Sequence, residues 1–293
     1  MTDGIILLNK PPAATSFEAL GEVKRRLGTR KVGHAGTLDP FAEGLLIALA
    51  GAYTRLASVA SALEKEYIAS VRFGEATDTL DPEGKRVAEG PVPDGESLRS
   101  VLEGFVGQIS QVPPAFSAVH VDGRRAYEAA RKGEQVSLAP RTVTIHSIQL
   151  LDFSGADAVL RVSCSRGTYI RSLARDIAER LGTCAYLRRL RRTRIGGFPV
   201  EQAVEPALFD PAVHLLPVAH FFATAGLGSA VLKEQWVEKA LRGTPLSDLA
   251  FEEPLGADGT FGAFSPAGRL IAMAERRAGG WTYAAVFSEG GRT

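Results

Sequence analysis

The sequence predicts an α+β fold followed by a small, mostly β domain at the C-terminal end. Two neighbouring strand-like runs, Thr142 to Leu151 and Asp157 to Ser165, are joined by a turn at Ser154-Gly155. Helical stretches with apolar residues every three to four positions are mixed among such strands, the order expected of an α+β domain. Past residues 211–232, which contain no Lys, Arg, Asp or Glu, three further strand-like runs follow one another with only turns between them.

Taken in order, Ile5 to Asn9 reads as a short buried strand. Thr15 and Ser16 can cap a helix whose apolar positions Phe17, Leu20, Val23 and Leu27 precede a glycine stop at Gly28. Its polar face carries Lys24, Arg25 and Arg26. The next stretch, Gly33 to Leu46, reads GHAGTLDPFAEGLL. Asp at an N-cap with Pro at the first helical position is a common helix start, so Asp39-Pro40 predicts a helix over the apolar run behind it. Gly33, Gly36 and Gly44 also leave the backbone open to close approach of a ligand, which makes Asp39 a candidate reactive group as well as a cap.

Glu66 to Phe73 alternates, with Tyr67, Ala69, Val71 and Phe73 on one face, and predicts a strand. Residues 74–96 have loop composition, and Ser97 to Gly107 returns to helical period. Ser117 to Val121 is strand-like, Asp122-Gly123 marks a turn, and a short helix is expected from Arg124 to Lys132. Thr168 to Leu181 predicts a helix with Ile170, Leu173, Ile177 and Leu181 inward, which puts Arg171 and Arg175 on its opposite face. A helix from Val231 to Arg242 precedes strands at Thr260 to Phe264, Arg269 to Arg276 and Trp281 to Phe287. The domains expected are 1–222 and 223–293.

With 293 residues and 45% hydrophobic side chains, the chain can bury a substantial core and reads as soluble. MTDGIILLNKPP has too few consecutive apolar residues for a secretory signal, and prolines and glycines interrupt residues 211–232, so a cytoplasmic protein with no membrane span is expected. Cys164 and Cys184 cannot build a zinc ribbon, no metal is expected, and neither a Walker loop nor a dinucleotide fingerprint is present. Net charge is only +1, yet ten arginines between Arg161 and Arg194 face just Asp176 and Glu179. Such a cluster suits a phosphate backbone or a solvated helix face equally.

GHAGTLDPFAEGLL resembles the catalytic motif of the TruB family of tRNA pseudouridine synthases. The resemblance extends to KPPAATS at 10–16, KEYIASVRFGEATDTLDPEG at 65–84, VPPAFSAVHVDGRRAYEAAR at 112–131 and the segment 166–197 that begins RGTYIRSL. It implies a pseudouridine synthase fold, with a mixed, mainly antiparallel central sheet flanked by helices, and a PUA-like RNA-binding domain at 223–293. Residue by residue, it implies that Asp39 is the catalytic aspartate, that Tyr67 stacks on the target base and helps move its proton, and that Arg171 orients Asp39. Tyr169 and Leu190 would line the uracil pocket, His34 would fill the place the base vacates, and Lys10 would support the loop around Asp39. The implied reaction converts the T-loop uridine at position 55 of tRNA to pseudouridine without any cofactor. The implied partner is the tRNA T-arm, engaged by a monomer without guide RNA. A guide-dependent relative of the dyskerin group and a tRNA-folding chaperone are the alternatives. Two positions depart from the family pattern: Ala13, where glycine is usual, and His120, where lysine is usual.

Overall fold

The computed structural model of the protein describes residues 3–117, 120–121, 124–125, 138–253, 258–278 and 280–288. β1 (Gly4–Lys10) is buried at every position but Asn9, as its apolar run requires. Thr15 then closes a capping box with Glu18: the Thr15 N–H donates to Glu18 Oε2 at 2.7 Å and the Glu18 N–H to Thr15 Oγ1 at 3.1 Å. One 3₁₀ turn and α1 (Gly21–Leu27) follow, and Gly28 stops the helix in the left-handed conformation. Phe17, expected inward, is 69% exposed beneath the Lys24 ammonium. It lies before the first helical residue, so the period that buries Leu20 and Val23 does not reach it.

β2 (Val32–Ala35) and β3 (Glu43–Ala50) correct the expectation of a helix behind Asp39. A short apolar run fits a strand as well as a helix, and here Gly44 to Ala50 pair with β1 on one side, Ile47 to Ala50 also pair with β2 on the other, and all are buried. α2 (Ala57–Ala62) leads to β4 (Lys65–Phe73), whose burial alternates as its sequence does. Within the segment read as loop, β5 (Glu75–Thr77) pairs with β6 (Arg86–Glu89). α3 (Gly95–Glu103) is capped by Asp94 and leads to β7 (Gly107–Gln111). β8 (His120–Val121) pairs with β9 (Arg124–Arg125), so the helix expected from Arg124 is strand at its first two residues. The rest of that helix and the Asp122-Gly123 turn lie outside the described residues. β10 (Arg141–Ser154) and β11 (Asp157–Cys164) form the predicted hairpin, and α4 (Ile170–Arg180), β12 (Ala185–Ile195) and β13 (Phe198–Pro199) complete this part of the fold.

The main sheet runs β1-β3-β12-β4-β11-β10-β7, with β2 beside β3 and β13 beside β12. All of its pairings are antiparallel except β12 with β3. Leu98 and Leu102 of α3 and Leu173 and Ile177 of α4 pack with Ala69, Val71 and Phe73 of β4.

Residues 211–232 form α5 (Pro211–His214), α6 (Val218–Thr224) and β14 (Gly228–Val231). α7 (Glu234–Leu241) begins three residues after the expected start, because Val231 still belongs to β14. β15 (Gly259–Phe264), β16 (Leu270–Arg277) and β17 (Gly280–Val286) match the three predicted strands and join β14 in a second sheet of order β14-β15-β16-β17. Its Phe264 and Met273 share one buried cluster with Phe221 and Phe222 of α6 and with Ile5, Leu45 and Leu49 of the main sheet. No helix among the described residues is long and apolar enough to cross a membrane.

Candidate active site

Asp39 stands in the loop between β2 and β3, held from both sides. Ser16, buried at the mouth of the turn, accepts from the Leu38 N–H at 2.8 Å and donates to the Leu38 carbonyl at 3.0 Å. Lys10 Nζ, with no exposed surface, donates to the carbonyls of Pro11, Ala14 and Pro40. Leu38 and Ala42 are buried in the core on either side, so the aspartate side chain is the part of the loop left facing out, at 32% exposure.

Gly44, which the sequence offered as an opening for a ligand, serves the sheet instead. A Cβ there would lie 2.3 Å from the Arg192 carbonyl of β12, and its φ is +107°. Only glycine lets β3 and β12 meet at this point.

Arg171 is the second residue of α4. Gln111, fully buried at the end of β7, accepts from the Tyr169 N–H at 2.8 Å, and Ser172 donates to the Val112 carbonyl, so the helix N-terminus is fixed to β7. This sinks Arg171 to 4% exposure, correcting its assignment to an outer helix face. Its Nη2 donates to Asp39 Oδ1 at 3.0 Å and to the Phe116 carbonyl at 2.9 Å, and its Nη1 donates to the Thr79 carbonyl at 2.8 Å. Nε lies 2.9 Å from Asp39 Oδ2 as an ion-pair contact without hydrogen-bond alignment. Asp81 Oδ2 is 3.2 Å from Nη1 on the far side. One guanidinium thus sits between two carboxylates, the outer facing the cavity and the inner almost wholly buried. Burial pushes the Asp81 carboxyl above its ordinary range, against the pull of Thr79 and Arg171.

The cavity in front of this pair has a volume of about 540 Å³. Asp39, Tyr67, Tyr169, Arg171 and Leu190 all line it. β4 and β12 place Tyr67 and Leu190 on its floor, 8% and 6% exposed. Burial raises the Tyr67 hydroxyl above its usual value, and the charge of nearby Arg192 opposes that shift. Tyr169 precedes α4 at the wall, with the Arg141 guanidinium 5.5 Å from its ring centroid. Lys10 and His34 are not among the lining residues. Lys10 acts on the Asp39 loop from behind, while His34 lies on β2 with its Nδ1 buried and unpartnered, held below its ordinary pKa by burial and by Arg192. His120 lies on β8, and its side chain is outside the description.

Sequence reasoning did not single out Asp81, Gln111 or Arg192. Arg192 was counted among surface cations, but it is 1% exposed and donates to the carbonyls of Leu45 at 2.7 Å and Gly36 at 3.0 Å. The alternation along β12 was the available signal, since Leu190 and Arg192 share a face that carries a core residue. Among the described residues no group of His, Cys, Asp and Glu is placed to hold a metal ion.

The family model described as TruB family pseudouridylate synthase (N terminal domain) matches residues 24–170, and the tRNA pseudouridylate synthase B C-terminal domain matches 171–215. A Leifsonia xyli protein named tRNA pseudouridine synthase B is 42% identical over 284 residues, covering 94% of this chain and 93% of the relative. A Thermobifida fusca protein of the same name is 39% identical, covering 98% and 99%. Among solved structures, a Cbf5-Nop10-Gar1 complex contains a chain with TM-score 0.70 and 25% identity, covering 98% of this chain and 84% of that one.

Proposed function

This chain belongs to the TruB family of pseudouridylate synthases and is a tRNA pseudouridine synthase, and from that premise we propose that it isomerises the T-loop uridine at position 55. The observation that carries the reading is the Asp39 carboxylate, gripped by Arg171 and facing a cavity floored by Tyr67 and Leu190. A base inside a folded RNA loop is out of reach, so the target nucleotide is flipped into this cavity, where stacking replaces the contacts it loses. Tyr67 and Tyr169 supply the aromatic surface, Leu190 the apolar one, and His34 fills the place the base leaves.

Asp39 then acts on the ribose, as a nucleophile or as a base. The bond from C1′ to N1 breaks, the uracil turns, and C1′ bonds to C5. The C5 proton leaves with Tyr67 assisting, and N1 takes up a proton, so the atoms balance without redox equivalents or ATP. Arg171 holds the carboxylate oxygens toward the sugar, and Lys10 and Ser16 keep the loop from yielding. Positioning of this kind converts loop rigidity into rate.

We assign residues 1–222 to catalysis and 223–293 to a PUA-like RNA-binding role. The protein works as a cytoplasmic monomer without guide RNA. Higher identity to the proteins named tRNA pseudouridine synthase B than to the chain from the Cbf5-Nop10-Gar1 complex supports that choice. The test is to incubate purified protein alone with an unmodified tRNA transcript and map pseudouridine by carbodiimide-dependent primer-extension stops. A stop at position 55 is expected; an unmodified transcript would refute the reading.

A further inference from the structure

Resting on the reading above, we propose that Arg141 and Arg166 form a phosphate clamp at the cavity, taking the phosphodiesters that flank the flipped nucleotide. The lining of the cavity holds five cationic side chains, Lys65, Arg141, Arg166, Arg171 and Arg192, against the single carboxylate of Asp39. Uracil and ribose are neutral, so a flipped nucleoside alone leaves this charge unanswered. The ligand that completes the site carries negative charge, and in RNA that is the phosphodiester.

The five cations divide by what they already hold. Arg171 is bound to Asp39, Asp81 and two carbonyls. Arg192 is bound to the carbonyls of Gly36 and Leu45, and Lys65 to those of Ser61 and Leu63. Arg141 and Arg166 have no hydrogen-bonded acceptor or ion-pair partner for their guanidinium groups among the described residues. They contrast with Arg188, Arg191 and Arg194 of β12, which lie against Asp157, Glu43 and Glu66. The basic run along β12 that looked like a phosphate grip is largely answered within the protein. Two open guanidinium groups, those of Arg141 and Arg166, stand at the cavity.

The Arg141 side chain and the Arg166 backbone are held in place. The Arg141 guanidinium lies over the Tyr169 ring, and its strand position is opposite Gln111, the residue that anchors Tyr169. Arg166 belongs to a turn pinned to β10 by two bonds: the Ser165 N–H donates to the Thr144 carbonyl at 2.8 Å, and the Thr144 N–H donates to Ser165 Oγ at 2.9 Å. Gly167 takes φ +81° and lets that turn reverse next to the helix. A planar guanidinium with a free edge matches a phosphate in two parallel hydrogen bonds. With its guanidinium over Tyr169, Arg141 also ties the grip on the backbone to the ring that receives the base.

The test measures affinity of the full chain for a T-arm stem-loop RNA across 50 to 200 mM salt, for wild type, Arg141→Ala, Arg166→Ala and Arg141→Lys. Each alanine variant is expected to bind more weakly and to lower the slope of log affinity against log salt by about 0.7–0.9. Arg141→Lys keeps the slope but loses part of the affinity, because it keeps charge without the planar fork. RNA bearing a neutral methylphosphonate at one flanking linkage identifies the contact: wild type loses affinity for it, and the matching alanine variant does not lose it twice. Wild-type slopes in both alanine variants, or a methylphosphonate penalty unchanged in both, would overturn the clamp. Arg166 is exposed, so its variant tests the idea even if an Arg141 variant misfolds. Failure of the functional reading would show separately, as wild-type protein that leaves the stem-loop uridine unconverted.

Discussion

At the residue scale, the site depends on groups placed where the solvent cannot compensate for them. Lys10 and Lys65 are held from an ordinary value of 10.5 down to about 8, in both cases chiefly by burial. Unfolded lysines keep their protons through this range, so between pH 8 and 9 the unfolded chain binds more protons than the folded one and stability rises with pH. Above pH 9 the Cys164 thiol, pushed by burial from 9.0 up to about 11, works in the opposite direction. Urea midpoints at pH 7.5 and 9 are expected to show the rise, and Lys10→Met to flatten it; a fall over that interval would contradict the burial argument. Ala13 offers a second test, since it stands at φ +63°, a left-handed backbone that favours glycine. An alanine pays for left-handed backbone more than glycine does, and part of that is offset by the freer unfolded glycine, so Ala13→Gly should stabilise by about 0.5 kcal/mol. A urea titration reads it.

At the element scale, the decisive event is the close parallel contact of β12 with β3, which carries Arg192 under the Asp39 loop. Gly44→Ala pushes a methyl group into the Arg192 backbone and forces a strained φ, so a loss of about 2–4 kcal/mol is expected by chemical denaturation. A neutral result would mean the strands have room the structure denies them. Elements with a clean period were legible in the sequence: β4 by its alternation, α4 by its apolar stripe, and the β10–β11 hairpin by its turn. The run behind Asp39 was not, because a short apolar segment carries no period and Asp-Pro opens turns as well as helices. Arg171 was misplaced by the same kind of reasoning: helical spacing says which side chains share a face, but a polar residue can be buried when a second element brings it carbonyls and carboxylates. Only the family motif pointed to its pairing with Asp39. Asp81 lies in the acidic run of the family-like block at 65–84, but no period or spacing marked it as the second carboxylate, since its partner is 90 positions away.

At the scale of the whole molecule, the two sheets share one core through Phe221, Phe222, Phe264 and Met273, and Arg55 Nη1 reaches the Val286 carbonyl across them. Both tryptophans, Trp236 and Trp281, lie in the C-terminal part, whereas far-ultraviolet dichroism reports on every element. Unfolding followed by the two probes should therefore coincide, and Phe222→Ala should lower both midpoints together by about 3–5 kcal/mol of stability. Separate transitions would mean that the sheets unfold independently. The chemistry rests on the same rigidity, because Asp39, Tyr67, Leu190 and Arg171 come from a loop, two strands and a helix brought to one cavity. The claim that Asp39 performs the reaction is tested most directly by single-turnover release of tritium from a tRNA transcript labelled at C5 of uracil. Wild type should release the T-loop label to water, and Asp39→Asn should bind the same RNA and release none. Release by the Asn variant at a rate near that of wild type would contradict the account and return Asp39 to a structural role.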